Sequence, residues 1–375
     1  MICRPYAVIA MLLLSMELLA QTSAPKKPSP ASSSAASASA PTPGGPYPVM
    51  SPAAEARGRQ LFEMWNNGQS AALFATFSEG MKKQAGGEAK FAAYAKKLEE
   101  QVGKETKKEQ EFIAPGMLSP VTEYGRLSQY SKATVKVIST FVIDERGQVQ
   151  AFMFGPQPNI PEGRYAGYQD TVKLRLPFNG EWFVLQGGHS IFENVYMRAD
   201  EARFAIDFAL LKNGRAYAGD PTSNESFYCF GQPVLAPGDG TVVRVESGYV
   251  DNPPGKPTED SPRGNFVILS QGNKEFTVLD HLKQNSIPVK KGDAVKQGDV
   301  IGACGNSGSS PAPHVHFQMQ NTAGLPTSDP LPAQFHDYIA NGKPVAVGEP
   351  VKTQTVSNAP TTGGSSTAGT TPPKN

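Results

Sequence analysis

The sequence is poor in cysteine, histidine and tryptophan, and it has no excess of charge of either sign. Its 375 residues include only 3 Cys, 5 His and 2 Trp. The 35 Lys and Arg residues are balanced by 34 Asp and Glu residues, so nothing favours nucleic acid as a partner. The sequence also lacks any uninterrupted apolar run of about 18 residues, and it therefore predicts no transmembrane segment.

The first 20 residues have the pattern of a secretory signal peptide. Arg4 supplies a positive charge, Ala7 to Leu14 form a short apolar run, and Leu18-Leu19-Ala20 offers a cleavage point before Gln21. Cys3 precedes the apolar run, so there is no lipoprotein signal at the cleavage point. We expect an exported protein, located in the periplasm or the extracellular space.

Loss of this peptide would leave two cysteines, Cys229 and Cys304. In an oxidising compartment they could form a disulfide. Two small buried residues are the alternative, because a sequence does not give the distance between two Cα atoms. Both interpretations stay open at this point.

Two tracts of low complexity flank the ordered part of the chain. Residues 21–48 are rich in Pro, Ser and Ala, and residues 346–375 are rich in Thr, Ser, Gly and Pro. Neither tract has enough apolar surface to offset the entropy that ordering costs. We expect a disordered linker over 21–48 and a disordered tail over 346–375.

Residues 49–160 predict an α+β domain with helices on a curved antiparallel sheet. Ser51-Pro52 fits a helix start, and apolar spacing predicts helices near residues 52–67, 70–81 and 88–102. Alternating strands follow, with a turn before Val149-Gln150-Ala151-Phe152. In this layout the block resembles the cone-shaped, nuclear-transport-factor-like domains. The resemblance implies an accessory or binding role.

Residues 161–345 predict mainly antiparallel β structure. A connecting β-hairpin is expected over 161–189, around the Asn179-Gly180 turn. Short strands with Gly-rich turns, such as Gly238-Asp239-Gly240 and Gly272-Asn273, fill residues 190–345.

His314 and His316 form a His-x-His pair that enters a predicted strand. Phe317-Gln318-Met319-Gln320 alternates apolar and polar residues, which is typical of a strand. Residues i and i+2 of a strand share a face, so both imidazoles should point the same way. Such a pair suits a zinc site or a proton-transfer site. The alternative is two surface histidines.

Five motifs occur in order along the second half of the chain. They are Ala236-Pro237-Gly238-Asp239-Gly240-Thr241-Val242, Asp280-His281-Leu282, the Gly-Asp repeats of residues 289–302, Gly305-Asn306-Ser307-Gly308, and Pro313-His314-Val315-His316-Phe317. Together they resemble the lysostaphin-type, LytM-like zinc endopeptidases that act on peptidoglycan. The resemblance implies a mainly antiparallel β peptidase domain over 190–345.

The resemblance also implies roles for individual residues. Asp207 and His316 match two ligands of a single zinc ion, and His281 and His314 match the positions that handle protons and the oxyanion. Zinc polarises a scissile carbonyl and lowers the pKa of bound water to about 7. The substrate implied is the peptide cross-link of the cell wall.

The first zinc ligand of the family pattern is missing. Arg203 stands four residues before Asp207, where the family has His, and an arginine cannot ligate zinc because it keeps its proton. His189 and Tyr196 are candidate substitutes, and some similar sequences carry Asn-x-His where this chain has Asn194-Val195-Tyr196.

Two hypotheses therefore stand side by side. One is an active zinc endopeptidase. The other is a catalytically degenerate module in which Arg203 replaces the metal as the cation facing Asp207. Such a module would bind wall peptides or regulate another wall enzyme. A carbohydrate-binding β-domain is a third and weaker hypothesis.

Overall fold

The computed structural model describes residues 50–258, 261–324 and 328–360. The predicted signal peptide, the predicted linker and residues 361–375 lie outside these ranges. Within the described ranges, the residues from 50 to 111 together with Val121–Pro156 form one compact unit, and Phe112–Pro120 with the residues from 157 to 360 form a second. None of the helices in the described ranges combines the length and apolar composition needed to cross a membrane.

The first unit is the expected α+β structure. Its elements are α1 Pro52–Asn66, α2 Ser70–Ala75, α3 Glu79–Gln84, α4 Glu88–Val102, β1 Glu105–Pro115, β2 Val121–Tyr130, β3 Val137–Asp144 and β4 Val149–Pro156. The strands form an antiparallel sheet in chain order. Helix α1 begins as predicted, because the Ser51 hydroxyl accepts from Ala54 N and Pro52 is the first helical residue.

Packing in the first unit interrupts one predicted helix. Residues 70–81 form two helices rather than one, because Phe77 leaves the helix and pairs with Val149. Close packing also explains a glycine inside α1. A Cβ atom on Gly58 would lie 2.4 Å from the ring of Tyr124 in β2. Only a glycine lets the helix approach the sheet at that point.

The second unit is mainly antiparallel β, as predicted. Its strands are β5 Trp182–Gln186, β6 Ile206–Ala209, β7 Pro233–Leu235, β8 Gly240–Glu246, β9 Asn265–Ser270, β10 Phe276–Leu282, β11 Ala294–Val295, β12 Val300–Ala303, β13 Val315–Gln320, β14 Pro330–Leu331, β15 Phe335–Ala340, β16 Lys343–Gly348 and β17 Thr355–Asn358. The main sheet has the order β11-β8-β9-β10-β13-β6-β5-β17-β15-β16, with β14 beside β13. Strands β7 and β12 pair with each other.

The core of this unit lies against one face of the sheet. Strand β13 sends Val315, Phe317 and Met319 into it, together with Phe208 of β6. Because side chains alternate along a strand, His316 is directed to the opposite face, as the His-x-His spacing predicts. Burial of the apolar residues thus fixes the face that the histidines occupy.

The connection and the tail differ from the sequence-based expectation. The hairpin predicted over 161–189 is wrong, because Trp182–Gln186 pairs with β6 and β17 and not with residues 172–178. The disordered tail predicted from residue 346 is also wrong within the described residues. Strand β16 runs to Gly348, and β17 inserts between β5 and β15. Val356 of β17 is buried in the core.

Cys229 and Cys304 come together in the second unit. Both are buried free thiols, and their sulfur atoms lie 2.8 Å apart. Burial and the contact with Cys229 raise the pKa of Cys304 well above its usual value. The two cysteines are therefore neighbours, as a disulfide would require, but in this structure they are two buried thiols.

Candidate active site

Cross-strand pairing aligns polar residues across the sheet. Asp207 of β6 is paired with His316 of β13, and His316 is paired with Asp280 of β10. Directly opposed residues of neighbouring strands point to the same face. His314 lies two residues before His316 and joins the same row. Three strands that are distant in sequence thereby assemble one polar cluster on the face away from the core.

His281 enters this cluster through a β-bulge. The register between β9 and β10 shifts between Leu279 and Leu282, and His281 has a φ of 61°. A bulge re-aims a side chain that regular alternation would send to the opposite face. The ring centre of His281 lies 5.0 Å from that of His314 and 5.5 Å from that of His316. The left-handed backbone is thus what adds a third imidazole to the row.

Two of the rings have fixed tautomers. Nδ1 of His281 lies 2.9 Å from the carbonyl oxygen of Ser307, and Nδ1 of His314 lies 2.8 Å from that of Ala312. A carbonyl only accepts, so each Nδ1 carries the hydrogen and each Nε2 keeps a lone pair. Among the described residues, Nε2 of His314 is buried without a hydrogen-bond partner.

Asp207 is the centre of the cluster. Its Oδ1 accepts a hydrogen bond from Nδ1 of His316 at 2.8 Å and lies 3.6 Å from Nε2 of His314. Its Oδ2 accepts from the Tyr196 hydroxyl at 2.9 Å. Burial alone would raise the pKa of Asp207, but His314 and the hydrogen bond from His316 hold it below the usual value. Asp207 is therefore a carboxylate surrounded by donors.

Burial acts to lower the pKa of both His281 and His316, but the groups beside the two rings shift their pKa values in different directions. Burial, with His314 and His316 beside it, lowers the pKa of His281 well below its usual value. Burial also acts to lower the pKa of His316, but the hydrogen bond to Asp207 outweighs it and raises that pKa. Asp207 and the three histidines expose between 3% and 6% of their surface, so water screens these interactions little.

Asp280 is a member of the cluster that the sequence motifs did not predict. Its Oδ2 accepts from Arg263 at 2.8 Å, and its Oδ1 is buried without a hydrogen-bond partner among the described residues. Burial raises the pKa of Asp280 although Arg263 opposes the shift. The sequence signal that could have indicated Asp280 is its position next to His281. At a bulge, two successive residues can lie on the same face of a strand.

Arg203 points away from the cluster. Its guanidinium donates to the carbonyl oxygens of Pro161 and Met197 at 3.0 and 2.9 Å, and to Asp200 at 2.9 Å. The hypothesis that Arg203 is the cation facing Asp207 is therefore wrong. Strand β6 begins only at Ile206, so Arg203 belongs to the preceding turn and not to the strand face.

The two candidate substitutes lie in different places. His189 pairs with Glu349 through Nε2 at 2.7 Å and packs on Phe204. Its ring is not one of the three whose nitrogens cluster. Tyr196 lies in the cluster, with its ring 5.2 Å from that of His316 at an interplanar angle of 84°. Of the two, the structure brings Tyr196 to Asp207.

The cluster suits a divalent metal ion by its donor types. Ligand atoms of His281, His314 and His316 all lie within 4.8 Å of one another. Neutral imidazole and carboxylate oxygen are the ligands that zinc prefers when thiolate is absent. Residues 226–329, which carry all three histidines, match the model of peptidase family M23. This stretch is an M23 domain.

Relatives of the M23 domain include proteins named as endopeptidases. Peptidoglycan DD-endopeptidase ShyA of Vibrio cholerae is 37% identical over 90 residues, which is 24% of this chain and 17% of ShyA. Glycyl-glycine endopeptidase ALE-1 of Staphylococcus capitis is 35% identical over 108 residues, 28% of this chain and 26% of ALE-1. The chain thus spans no more than about a quarter of the length of these relatives.

Among solved structures, the catalytic domain of lysostaphin from Staphylococcus simulans is 22% identical. The similarity covers 40% of this chain and 88% of that one, with a TM-score of 0.24. Tyr196 and Asp207 precede the residues that match the M23 model, so the assignment of the M23 domain does not depend on them.

Proposed function

We propose that the protein is an exported, zinc-dependent endopeptidase that hydrolyses peptide cross-links of peptidoglycan. The observation that carries this proposal is the buried cluster of Asp207, His281, His314 and His316, in which Nε2 of His314 has no hydrogen-bond partner among the described residues. A buried, unpaired imidazole nitrogen costs roughly 1–3 kcal/mol, so a fold that keeps one has a use for it.

The donors present fit a zinc ion. Asp207 and His316 are the two residues that we assign to holding it, in agreement with the family pattern. Zinc would polarise the scissile carbonyl and lower the pKa of a bound water to about 7. Its ligands are already held by the sheet, because Asp207 and His316 are cross-strand partners. Little ordering of side chains is then needed when the ion binds.

His281 and His314 are placed to move protons. Each holds its Nδ1 hydrogen against a backbone carbonyl and presents Nε2 as the acceptor. A proton taken up at one Nε2 from the attacking water can be delivered to the leaving amine. The protonated ring would also stabilise negative charge that develops on the carbonyl oxygen. The Ser307 and Ala312 carbonyls keep both rings from turning away.

The substrate class follows from the relatives. ShyA is named a peptidoglycan DD-endopeptidase, and ALE-1 is named a glycyl-glycine endopeptidase. Peptides of the wall are the substrates that we propose here. The two names specify different bonds, so the choice of bond is left to the experiment. Export agrees with a wall substrate and with the predicted signal peptide.

A second function is favoured by one observation. Tyr196 hydrogen-bonds to Asp207, and no histidine occupies the first-ligand position of the family pattern. If the phenol excluded the metal, the same surface would bind wall peptides without cutting them. The protein would then act as a binding module or as a regulator of another wall hydrolase.

Digestion of purified peptidoglycan distinguishes the two functions. The purified protein is incubated with zinc and wall material, and the released fragments are identified by mass spectrometry. We expect cleavage by the natural sequence and by His336→Ala, a control on β15, and none by His314→Ala. Bound zinc is measured in the same samples. Absence of both zinc and cleavage would refute the enzyme proposal. Recovery of a chain that begins at Gln21 outside the cytoplasm tests export.

A further inference from the structure

The proposed metal site has two assigned protein ligands, and catalytic zinc sites commonly have three. Arg203 cannot be the third, and His189 is paired with Glu349 instead. The remaining question is which oxygen or nitrogen lies beside both Asp207 and His316. His314 also lies near Asp207, with its Nε2 3.6 Å from Oδ1, but His314 is assigned to proton transfer. Of the other side chains in the described part of the chain, Tyr196 bonds Asp207 through its phenol and packs its ring against His316.

A hydrogen-bonded turn positions the phenol of Tyr196. Tyr196 lies in a short 3-10 helix, Val195–Arg198, which Asn194 caps by accepting from Tyr196 N at 3.0 Å. The buried Asn194 amide in turn donates to the carbonyl of Ala205 at 3.0 Å, just before β6. The turn is thereby attached to the strand that carries Asp207.

A second connection ties this turn to the site. Val195 N donates to the side-chain oxygen of Gln186 at 3.1 Å, and Gln186 is the cross-strand neighbour of Asp207. The turn is thus held through β5 as well as through β6. Such double support is what keeps a ligand at a fixed distance from a metal.

We infer that Tyr196 is the third protein ligand of the metal and binds through its phenolate oxygen. This inference rests on the proposed metal site. The hydroxyl hydrogen that now bonds Oδ2 of Asp207 would leave to solvent on metal binding, and both oxygens would then face the ion. Two anionic oxygens and one neutral imidazole would balance the two charges of zinc, whereas a histidine in place of Tyr196 would leave a net charge of +1.

Metal binding by four proteins tests the inference. They are the natural sequence, Tyr196→Phe, Tyr196→His and the matched control Tyr168→Phe, which removes another tyrosine–carboxylate bond, to Glu275 at 2.9 Å. Zinc affinity is measured by competition with a chromophoric chelator. We expect Tyr196→Phe to bind at least about tenfold more weakly, since even supporting residues contribute 10–100-fold. Tyr196→His and the control should bind as tightly as the natural sequence.

A spectroscopic readout identifies the ligand independently of activity. With copper(II) in place of zinc, a phenolate ligand gives a charge-transfer absorption in the visible range. We expect this band in the natural sequence and in Tyr168→Phe, and not in either Tyr196 variant. Circular dichroism verifies that all four proteins are folded.

The outcomes separate this inference from the proposed function. Zinc binding by Tyr196→Phe as tight as that of the natural sequence, or tighter, overturns the inference and leaves the metal site intact. Metal bound only by Tyr196→His also overturns it, because the phenol would then be excluding the ion. Failure of all four proteins to bind metal overturns the inference and the proposed enzyme together.

Discussion

Replacement of Gly264 by alanine should disturb His281 indirectly, by displacing the carbonyl group to which its ring is hydrogen-bonded. Gly264 has a φ of 60°, and a Cβ atom there would lie 2.4 Å from the carbonyl carbon of Ser307 and 2.6 Å from its oxygen. That oxygen is the acceptor for Nδ1 of His281. A methyl group at residue 264 therefore has to displace the carbonyl that fixes the ring.

The expected loss of stability has two parts. Alanine in the left-handed region costs about 1–2 kcal/mol. Overlap with backbone atoms adds roughly 1–3 kcal/mol, because the Ser307 carbonyl is not the free end of a flexible side chain. Gly272→Ala is the matched control, since Gly272 has a φ of 87° and nothing within 4 Å of the added Cβ. Only the first part applies to it.

Urea denaturation of both variants gives the difference in unfolding free energy. We expect Gly264→Ala to be less stable than Gly272→Ala by about 1–3 kcal/mol, the overlap part alone. NMR of the His281 Nδ1 hydrogen should show a shifted or broadened signal in Gly264→Ala alone. Equal stabilities for the two variants, with an unchanged His281 signal, would show that the Ser307 carbonyl does not depend on this glycine.

Three further predictions concern stability. Treated with oxidised glutathione, Cys229 and Cys304 should form a disulfide by thiol–disulfide exchange; because the pair is 75 positions apart, the bond should stabilise the fold by roughly 4 kcal/mol. Unchanged urea midpoints with and without reductant would contradict this. Burial raises the pKa of Asp170 to about 7, so stability should fall as pH rises from 4 to 7, and Asp170→Asn should remove that fall. An identical pH profile in the variant would exclude Asp170 as the cause. Gly58→Ala should destabilise the first unit because its methyl group meets the tyrosine ring described above. Gly80→Ala in α3 should be neutral or stabilising by up to about 1 kcal/mol, because its Cβ atom would meet only the Ser78 hydroxyl, at 4.0 Å. A stabilising Gly58→Ala would show that α1 can move off the sheet.

Sequence patterns correctly predicted the features that depend on residues close together in the chain. The cap at Ser51 and the common face of His314 and His316 follow from spacing along a few residues. The fold classes of both units follow in the same way. Pairing with distant partners could not be predicted, and the hairpin over 161–189 failed for that reason. Its turn signal was local, but β5 pairs with a strand about 170 positions later.

The residues of the candidate site also differ in whether a short sequence motif could predict them. Asp207, His281 and His316 could be named from motifs because each motif is a short, ordered string. The same family pattern names position 203, four residues before Asp207, but Arg203 bonds the Met197 carbonyl and lies outside the cluster. Tyr196 lies farther away in sequence and reaches Asp207 only through the capped turn. The sequence could name Tyr196 only as one of two substitutes, beside His189. The choice between them depends on how a non-repetitive segment is held against β6, which residue spacing does not encode.

The insertion of β17 between β5 and β15 has a consequence for the order of assembly. Strands β5 and β6 are the first of their sheet to be synthesised, and β17 is the last that the described residues contain. The ribosome releases the chain from its N-terminus. The edge of β5 that pairs with β17 therefore has no native partner until Asn358 has left the ribosome. Closing so long a loop is slow, because the chain loses conformational entropy before the stabilising contacts between the strands have formed. One edge of the strand beside Asp207 therefore stays open to other chains while about 170 further residues are synthesised, so prompt completion of β17 protects against aggregation.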